Sequence, residues 1–247
     1  MREVRIHLDL PLGSGRRVAL PPQAAQHVTR VLRLRSGAAL TVFDGRGGEY
    51  AATLEVAGRD TATVELGEHS AIERESPLRI TLLQGLARGE RMDWVVQKAT
   101  ELGVQRIVPV ATARSVVQLD AERGTKRTDH WLAIAAAACE QCGRNTLPEI
   151  AAPLSLEAAL REASATDLRL ALHPDSGESL RTVLSADVAC PAVALLIGPE
   201  GGLDETEVAL ARQDGFRVVH LGPRVLRTET AGIAALAALQ CLAGDLT

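Results

Sequence analysis

The sequence predicts an α/β protein in two parts: a small strand-rich domain, then a larger domain built on a mostly parallel sheet. Three observations carry this prediction. Residues 1–70 hold short apolar or alternating runs separated by turn dipeptides. Residues 67–77 (GEHSAIERESP) are polar and end in proline, which reads as a linker. Beyond them strand-like runs alternate with helical patterns, and such alternation places helices on both faces of a parallel sheet.

In the first part, Val18–Leu20, Ala39–Phe43, Tyr50–Val56 and Thr61–Leu66 have the length and alternation of strands, with turns at Asp44-Gly45 and Gly47-Gly48. A helix is expected over Pro22–Leu32, with proline in its first turn. In the second part Ile80–Leu83 reads as a strand. Met92–Leu102 reads as an amphipathic helix, because Met92, Val95, Val96, Ala99 and Leu102 share one face. Ile107–Val110 is a strand, His130–Cys142 a helix, and Leu156–Ala163 a helix capped by Ser155. Leu168–Leu172 and Val193–Ile197 are strands, the latter wholly apolar. Asp204–Gln213 is a helix with Asp204 and Glu207 in the two roles of a capping box. Arg217–Leu221 is a strand, and Thr230–Leu242 a final helix that is apolar or small nearly all round.

Composition excludes some classes. The chain has 247 residues, 46% of them hydrophobic but only 2% aromatic, so its core must be aliphatic. No run of 18 apolar residues and no signal-peptide pattern is present, so a cytoplasmic protein without a membrane span is expected. Cys139 and Cys142 have C-x-x-C spacing, but no second pair accompanies them. Free thiols are the expectation, with Cys190 and Cys241 standing apart, and no metal. The net charge of −4 does not advertise nucleic-acid binding, yet its distribution is uneven. Residues 1–127 carry 19 basic against 15 acidic residues, and residues 128–247 carry 8 against 16. Between residues 16 and 46 there are six arginines and one acid, Asp44, a patch that either binds phosphates or is a solvated face.

In parallel sheets ligands bind beyond the carboxyl ends of strands. The loops after Leu83, Leu172, Ile197 and Leu221 are therefore where chemistry is sought. After Ile197 runs Gly198-Pro199-Glu200-Gly201-Gly202-Leu203. It is either a plain strand-to-helix turn or a loop whose backbone approaches a ligand closely. After Leu221 runs Gly222-Pro223-Arg224-Val225-Leu226-Arg227-Thr228-Glu229-Thr230-Ala231. It repeats the strand-then-Gly-Pro design and gathers polar groups at the mouth of a helix that must be buried. Thr228 or Thr230 could simply cap that helix, and Arg227 and Glu229 could be a structural ion pair; otherwise the cluster is functional. Neither the dinucleotide-binding nor the phosphate-loop glycine motif is present.

Five stretches in order carry a resemblance that spans nearly the whole chain. They are HVTRVLRLRSG (His27–Gly37) with Asp44-Gly45, GERMDWVVQKATELGV (Gly89–Val104) with RSVV (Arg114–Val117), EQCGRNTLPEI (Glu140–Ile150), IGPEGGL (Ile197–Leu203) and LGPRVLRTETA (Leu221–Ala231). On these the sequence resembles the 16S ribosomal RNA uracil-N3-methyltransferases of the SPOUT superfamily. Ser36-Gly37-Ala38 departs from that pattern, where the family often shows Gly-Asp.

The resemblance implies a PUA-like β-barrel over residues 1–73 and a knotted SPOUT methyltransferase domain over 74–247. It implies S-adenosylmethionine as cofactor, held against Leu172, His173, Leu196, Gly198, Glu200, Gly201, Leu221, Gly222 and Leu226. It implies a homodimer acting on a decoding-region uridine of 16S rRNA in the small ribosomal subunit. Arg227 and Glu229 are the catalytic candidates, because the uracil N3 proton must be lost as nitrogen attacks. Arg30, Arg33 and Arg35 are the candidates for RNA phosphates, while Lys98, Glu101, Gln141 and Arg144 could meet RNA or the dimer partner. The rival readings are a SPOUT ribose 2′-O-methyltransferase and a non-catalytic ribosome-assembly protein that binds RNA.

Overall fold

The computed structural model describes residues 4–57, 61–115, 121–186 and 192–246. Val116 and Val117 of the RSVV run, and Cys190, lie outside the described residues. The chain divides into two compact units, one of residues 1–75 with 136–147, the other of residues 76–135 with 148–247.

The first unit contains β1 (Arg5–His7), β2 (Arg17–Ala19), α1 (Pro22–Gln26), β3 (Ala39–Phe43), β4 (Glu49–Ala57) and β5 (Ala62–Ser70). Its sheet runs β1-β3-β4-β5-β2, with β1 parallel to β3 and the other pairs antiparallel. Two register shifts between β4 and β5 curl it. Alternating residues Ile6, Leu8, Leu40, Val42, Leu54, Val64 and Leu66 fill the core with Val28.

Three details differ from the sequence reading. Strand β1 was not anticipated. The helix over Pro22–Leu32 keeps α-helical form only to Gln26, then widens into a turn over His27–Val31 in which the Leu32 N–H reaches His27 O. Arg33 leaves this turn at φ 54°, a left-handed conformation rare outside glycine. The expected linker begins too early, because β5 continues to Ser70. Glu49 pairs with Ser70 and Tyr50 with His69, whose rings meet at a 54° tilt with centroids 4.8 Å apart. Inward alternation ends at Leu66, so the last four residues hold strand form by backbone pairing without burying apolar side chains.

Charged bonds fasten residues 136–147 into this unit. Arg5 bonds Glu49 at 2.7 Å and also reaches Asn145. Arg144 is buried and donates from Nε to Glu75 at 2.8 Å. Burial alone would raise the Glu49 carboxyl, but hydrogen bonds from Arg5, Arg74 and Asn145 hold it below its ordinary value.

The second unit contains β6 (Arg79–Gly85), α2 (Arg91–Glu101), β7 (Arg106–Ala111), the start of α3 (Ala121–Cys142), β8 (Glu149–Ile150) and β9 (Leu154–Ser155). There follow α4 (Leu156–Glu162), β10 (Leu168–Leu172), α5 (Leu180–Ala186), β11 (Ala192–Ile197), α6 (Glu205–Gln213), β12 (Arg217–Val219) and α7 (Thr228–Ala243). The sheet order is β12-β10-β11-β6-β7-β8, with β9 also on β7, and every described pair is parallel. Period-two alternation splits its side chains between two cores. Leu82 and Leu195 enter one face, Leu83, Ala194 and Leu196 the other.

The anticipated caps form: Ser155 accepts from the Ala158 N–H, and Asp204 and Glu207 complete a reciprocal capping box. Helix α3 starts well before His130, α5 was not foreseen, and α7 begins two residues earlier than expected, at Thr228. The consequence for function lies in the strand order. β10, β11 and β12 are neighbours, so three loops far apart in sequence leave the sheet side by side.

Candidate active site

The loops after β10, β11 and β12, with the first turn of α7, surround a cavity of about 550 Å³. That volume suits a small organic ligand, for which pockets run to roughly 300–1,000 Å³. Leu172, His173, Gly198, Glu200, Gly201, Leu221, Gly222, Leu226, Arg227 and Glu229 all line it. Leu196 does not: its side chain is wholly buried in the core of the other sheet face, and the next residue, Ile197, takes the place on the wall. The segment after Leu83 supplies the cavity with Arg91 alone, from the first turn of α2. Arg91, Arg114 and Thr228 are wall residues that sequence reasoning had not assigned.

The loop after β11 is held from three directions. Gly198 O accepts the Thr228 hydroxyl at 2.6 Å. The same hydroxyl oxygen accepts from buried Gln84 Nε2 at 2.9 Å. Glu200 Oε1 accepts the Arg88 N–H at 2.9 Å and Arg91 Nη1 at 2.7 Å. Gly201 O accepts Arg114 Nη1 at 2.7 Å. Below the loop, Glu207 caps α6 with one carboxylate oxygen and takes the Ala113 N–H with the other at 2.7 Å. Space is as tight as the bonding. A Cβ on Gly85 would sit 2.5 Å from Pro199 N and 2.8 Å from Gly198 C. Burial tends to raise the Glu200 carboxyl, but the Arg88 N–H, its own N–H and the Arg91 guanidinium together lower it.

The loop after β12 is looser. It is tied through His220, whose N–H donates to Glu178 O at 2.9 Å, whose carbonyl accepts the Leu180 N–H at 3.0 Å, and whose Nδ1 accepts the Gly222 N–H at 3.0 Å. Gly222 has φ 132°, and a Cβ there would meet nothing within 4 Å. Its backbone thus faces open space where a ligand can approach. Val225 is 81% exposed, and Arg224 and Arg227 are exposed beside it. Arg227 occupies the N-cap position of α7 without a side-chain capping bond. Glu229 is only 14% exposed: Oε1 lies 3.8 Å from Arg91 Nε, and Oε2 is buried with no hydrogen-bond partner. Arg227 and Glu229 therefore do not form the ion pair that a purely structural role would have given them.

The remaining predicted residues fall elsewhere. Arg30, Arg33 and Arg35 are exposed in the first unit, around the widened turn and the left-handed Arg33. Lys98 pairs with Glu101 at 2.8 Å and lies 5.9 Å over the Trp94 ring. Gln141 is exposed, but Arg144 is buried on Glu75 and is a structural residue of its unit. Cys139 and Cys142 are free thiols, and burial pushes the Cys139 thiol up to about 12. Among the described residues no group of three or more His, Cys, Asp or Glu could hold a metal ion, and no helix is long and apolar enough to cross a membrane.

In this parallel sheet the two strands that flank β10 end in Gly-Pro loops around one cavity, and the domain they build is that of an RNA methyltransferase. Residues 74–240 match the family described as RNA methyltransferase domain, and residues 20–67 match the RNA methyltransferase PUA domain. The chain is 32% identical over 233 residues to ribosomal RNA small subunit methyltransferase E of Bacillus subtilis (strain 168), covering 90% of this chain and 91% of the relative. A methyltransferase of Legionella pneumophila solved with bound cofactor SAM superposes over 100% of both chains at 43% identity, with a TM-score of 0.94. The Neisseria gonorrhoeae ribosomal RNA small subunit methyltransferase E, bound to S-adenosyl methionine, does so over 100% of both chains at 38% identity and a TM-score of 0.89. The chain belongs to the ribosomal RNA small subunit methyltransferase E family.

The cavity fits such a cofactor. The open side of Gly222 is a cradle that any Cβ would fill. Leu172, Ile197, Leu221 and Leu226 offer apolar wall to an aromatic base, and loop backbone offers polar edges beside them.

Proposed function

We propose that this protein transfers the methyl group of S-adenosylmethionine to the N3 atom of a decoding-region uridine of 16S rRNA, in the small ribosomal subunit. The observation that carries the reading is the meeting, on one cavity wall, of glycine-backed loops with an exposed Arg227 and a nearly buried Glu229. Leu172, His173, Gly198, Glu200, Gly201, Leu221, Gly222 and Leu226 would hold the cofactor, with Leu196 contributing through its main chain. When bound, the cofactor supplies a methyl group already activated on a sulfonium.

The protein's task is then alignment and proton removal. Arg227 stands at the rim as an exposed cation and stabilises the negative charge that grows on the uracil ring as N3–H is lost. Glu229, two residues on, accepts a hydrogen bond from the base or takes its proton. In the first unit Arg30, Arg33 and Arg35 hold phosphates. Two copies pair along α7, where Leu242 is an exposed apolar residue.

The test incubates purified protein with methyl-labelled S-adenosylmethionine and small subunits lacking the modification, then digests the RNA to nucleosides. Label in 3-methyluridine is the expected result. Label in a 2′-O-methyl nucleoside would move the function to the ribose. Cofactor binding without any transfer to RNA would favour an assembly role. Charge reversal at Arg30 and Arg33 should weaken subunit binding about tenfold or more, and should flatten its dependence on salt, since each lost phosphate contact removes released counterions. Cofactor affinity should be unchanged. An equal loss of both affinities would point to misfolding, and unchanged subunit binding would remove these arginines from the RNA surface.

A further inference from the structure

We propose that Arg91 is a positioning residue for methyl transfer, one guanidinium that fixes Glu200 of the first cavity loop and Glu229 in the first turn of α7. The inference rests on the uridine-methylation reading above. Arg91 opens α2, an element that belongs to neither loop. Its Nη1 donates to Glu200 Oε1 at 2.7 Å, and its Nε lies 3.8 Å from Glu229 Oε1. The Arg88 N–H reaches the same Glu200 oxygen at 2.9 Å. Glu200 is thereby held from two neighbouring points of the chain, and it anchors one edge of the guanidinium.

A guanidinium is a rigid planar fork, so anchoring Nη1 also settles where Nε points. The helix start is itself pinned. Met92 is buried, and Asp93 accepts Trp131 Nε1 at 3.1 Å. The backbone of Arg91 is therefore fixed at one end and its guanidinium is held by Glu200 at the other.

The consequence falls on Glu229. A carboxylate exposed by only 14% needs a compensating cation, because burying an unpaired charge is costly. Arg227 lies two residues away but forms no ion pair among the described residues, whereas Arg91 stands within ion-pair distance. The two arginines divide the work. Arg91 keeps Glu229 in place, and Arg227 is left facing the substrate base.

The decisive experiment compares Arg91→Gln, Arg91→Lys, Glu229→Gln, Glu200→Gln and the doubles Arg91→Gln/Glu229→Gln and Arg91→Gln/Glu200→Gln. Turnover and KM are measured on small subunits, S-adenosylmethionine affinity by calorimetry, and folding by thermal melting. Arg91→Gln should lower kcat about 100-fold with KM for the subunit within about twofold, the signature of an interaction used in the transition state. Arg91→Lys should recover about a tenth of the wild-type rate, because it keeps the charge and loses the fork. Arg91→Gln/Glu229→Gln should be no slower than its slower parent, since residues acting as a unit are not additive. In the affinity cycle, Arg91→Gln and Glu200→Gln should each weaken the cofactor by about threefold and their double by no more than that. Additive losses overturn the inference, as does a fall in kcat matched by equal falls in cofactor affinity and melting temperature. If the wild-type protein makes no 3-methyluridine, the functional reading fails on its own. The affinity cycle then decides Arg91: coupled losses support it and additive losses sink it.

Discussion

The two Gly-Pro loops share one sequence design, yet the chain treats them differently. Gly198-Pro199 follows a central strand and is stapled through Gly198 O, Glu200 and Gly201 O to α7, to the start of α2 and to the loop after β7. Gly222-Pro223 follows an edge strand, is tied by one histidine and leads into the exposed Arg224 and Val225. The difference separates two duties. A small cofactor of constant shape is best met by a wall that does not move. In the function proposed above the second loop meets the cofactor too, through Leu221, Gly222 and Leu226. It also presents Arg227 to an arriving base, which needs a wall that gives, and elements that move are drawn from the weakly held parts of a structure. Breaking each loop in turn should therefore produce different kinds of loss.

The largest effect is expected from Gly85→Ala. This position lies on β6, outside both loops, but its added Cβ would collide with backbone atoms of Gly198 and Pro199 at 2.5–2.8 Å. Backbone cannot rotate away as a side chain can. Overpacking of this kind costs about 3 kcal/mol, which is about a hundredfold in affinity if it falls wholly on the bound state. Calorimetry with S-adenosylmethionine should show that loss, and wild-type affinity in the variant would mean the first loop is not rigid.

Thr228→Val is the next step down. It keeps the shape and removes the hydroxyl that donates to Gly198 O and accepts from Gln84. Leaving buried polar groups unpaired costs about 1–3 kcal/mol. Melting should fall by about 4–8 °C on a loss near 2 kcal/mol, and cofactor affinity should fall by about tenfold. A drop in melting with full cofactor affinity would show that Thr228 serves the helix and not the loop.

Gly222→Ala probes the looser partner. The new Cβ meets nothing within 4 Å, so the φ of 132° is the whole penalty. Such strain costs about 1–3 kcal/mol when the surroundings enforce it, but a loop tied at its start, through His220, can relax beyond it. Melting should shift by less than about 2 °C. Turnover should fall as well as cofactor affinity, because the Cβ enters the cofactor's cradle and relaxation displaces Arg227. A loss as large and as affinity-centred as that of Gly85→Ala would erase the contrast between the loops.

Much of this was legible beforehand, and the remainder has physical reasons. Hydrophobic period and caps located β3, β10, β11 and α6 almost to the residue, because burial and capping act locally. The two Gly-Pro loops announced the cavity by composition and position. Arg91 and Arg114 were invisible as wall residues, since only the parallel order β10-β11-β6-β7 brings their segments to the loop after β11. Thr228 could be read only as a helix start; that its hydroxyl fastens a carbonyl 30 residues away depends on where α7 packs. Leu196 shows the reverse limit, for a motif cannot say which face of a buried strand a side chain enters, and this side chain enters the core. The end of β5 was hidden because its last residues are polar and hold strand form by backbone pairing alone.

The smallest effect sharpens the comparison through pH. The Glu200 carboxyl lies below its ordinary value of 4.5 because two N–H groups and Arg91 favour the charged form. A carboxyl lowered in the folded protein contributes stability that is complete above its unfolded value and is lost as pH falls through the folded one. The gap in cofactor affinity between the wild type and Glu200→Gln should thus stay constant from pH 8 down to about 5 and narrow only below pH 4.5. Calorimetry across that range reads it directly. A gap that closes between pH 7 and 6 would mean that some group other than this carboxylate tethers the first loop. The rigid wall would then have to be explained by Thr228 and Arg114 without Arg91.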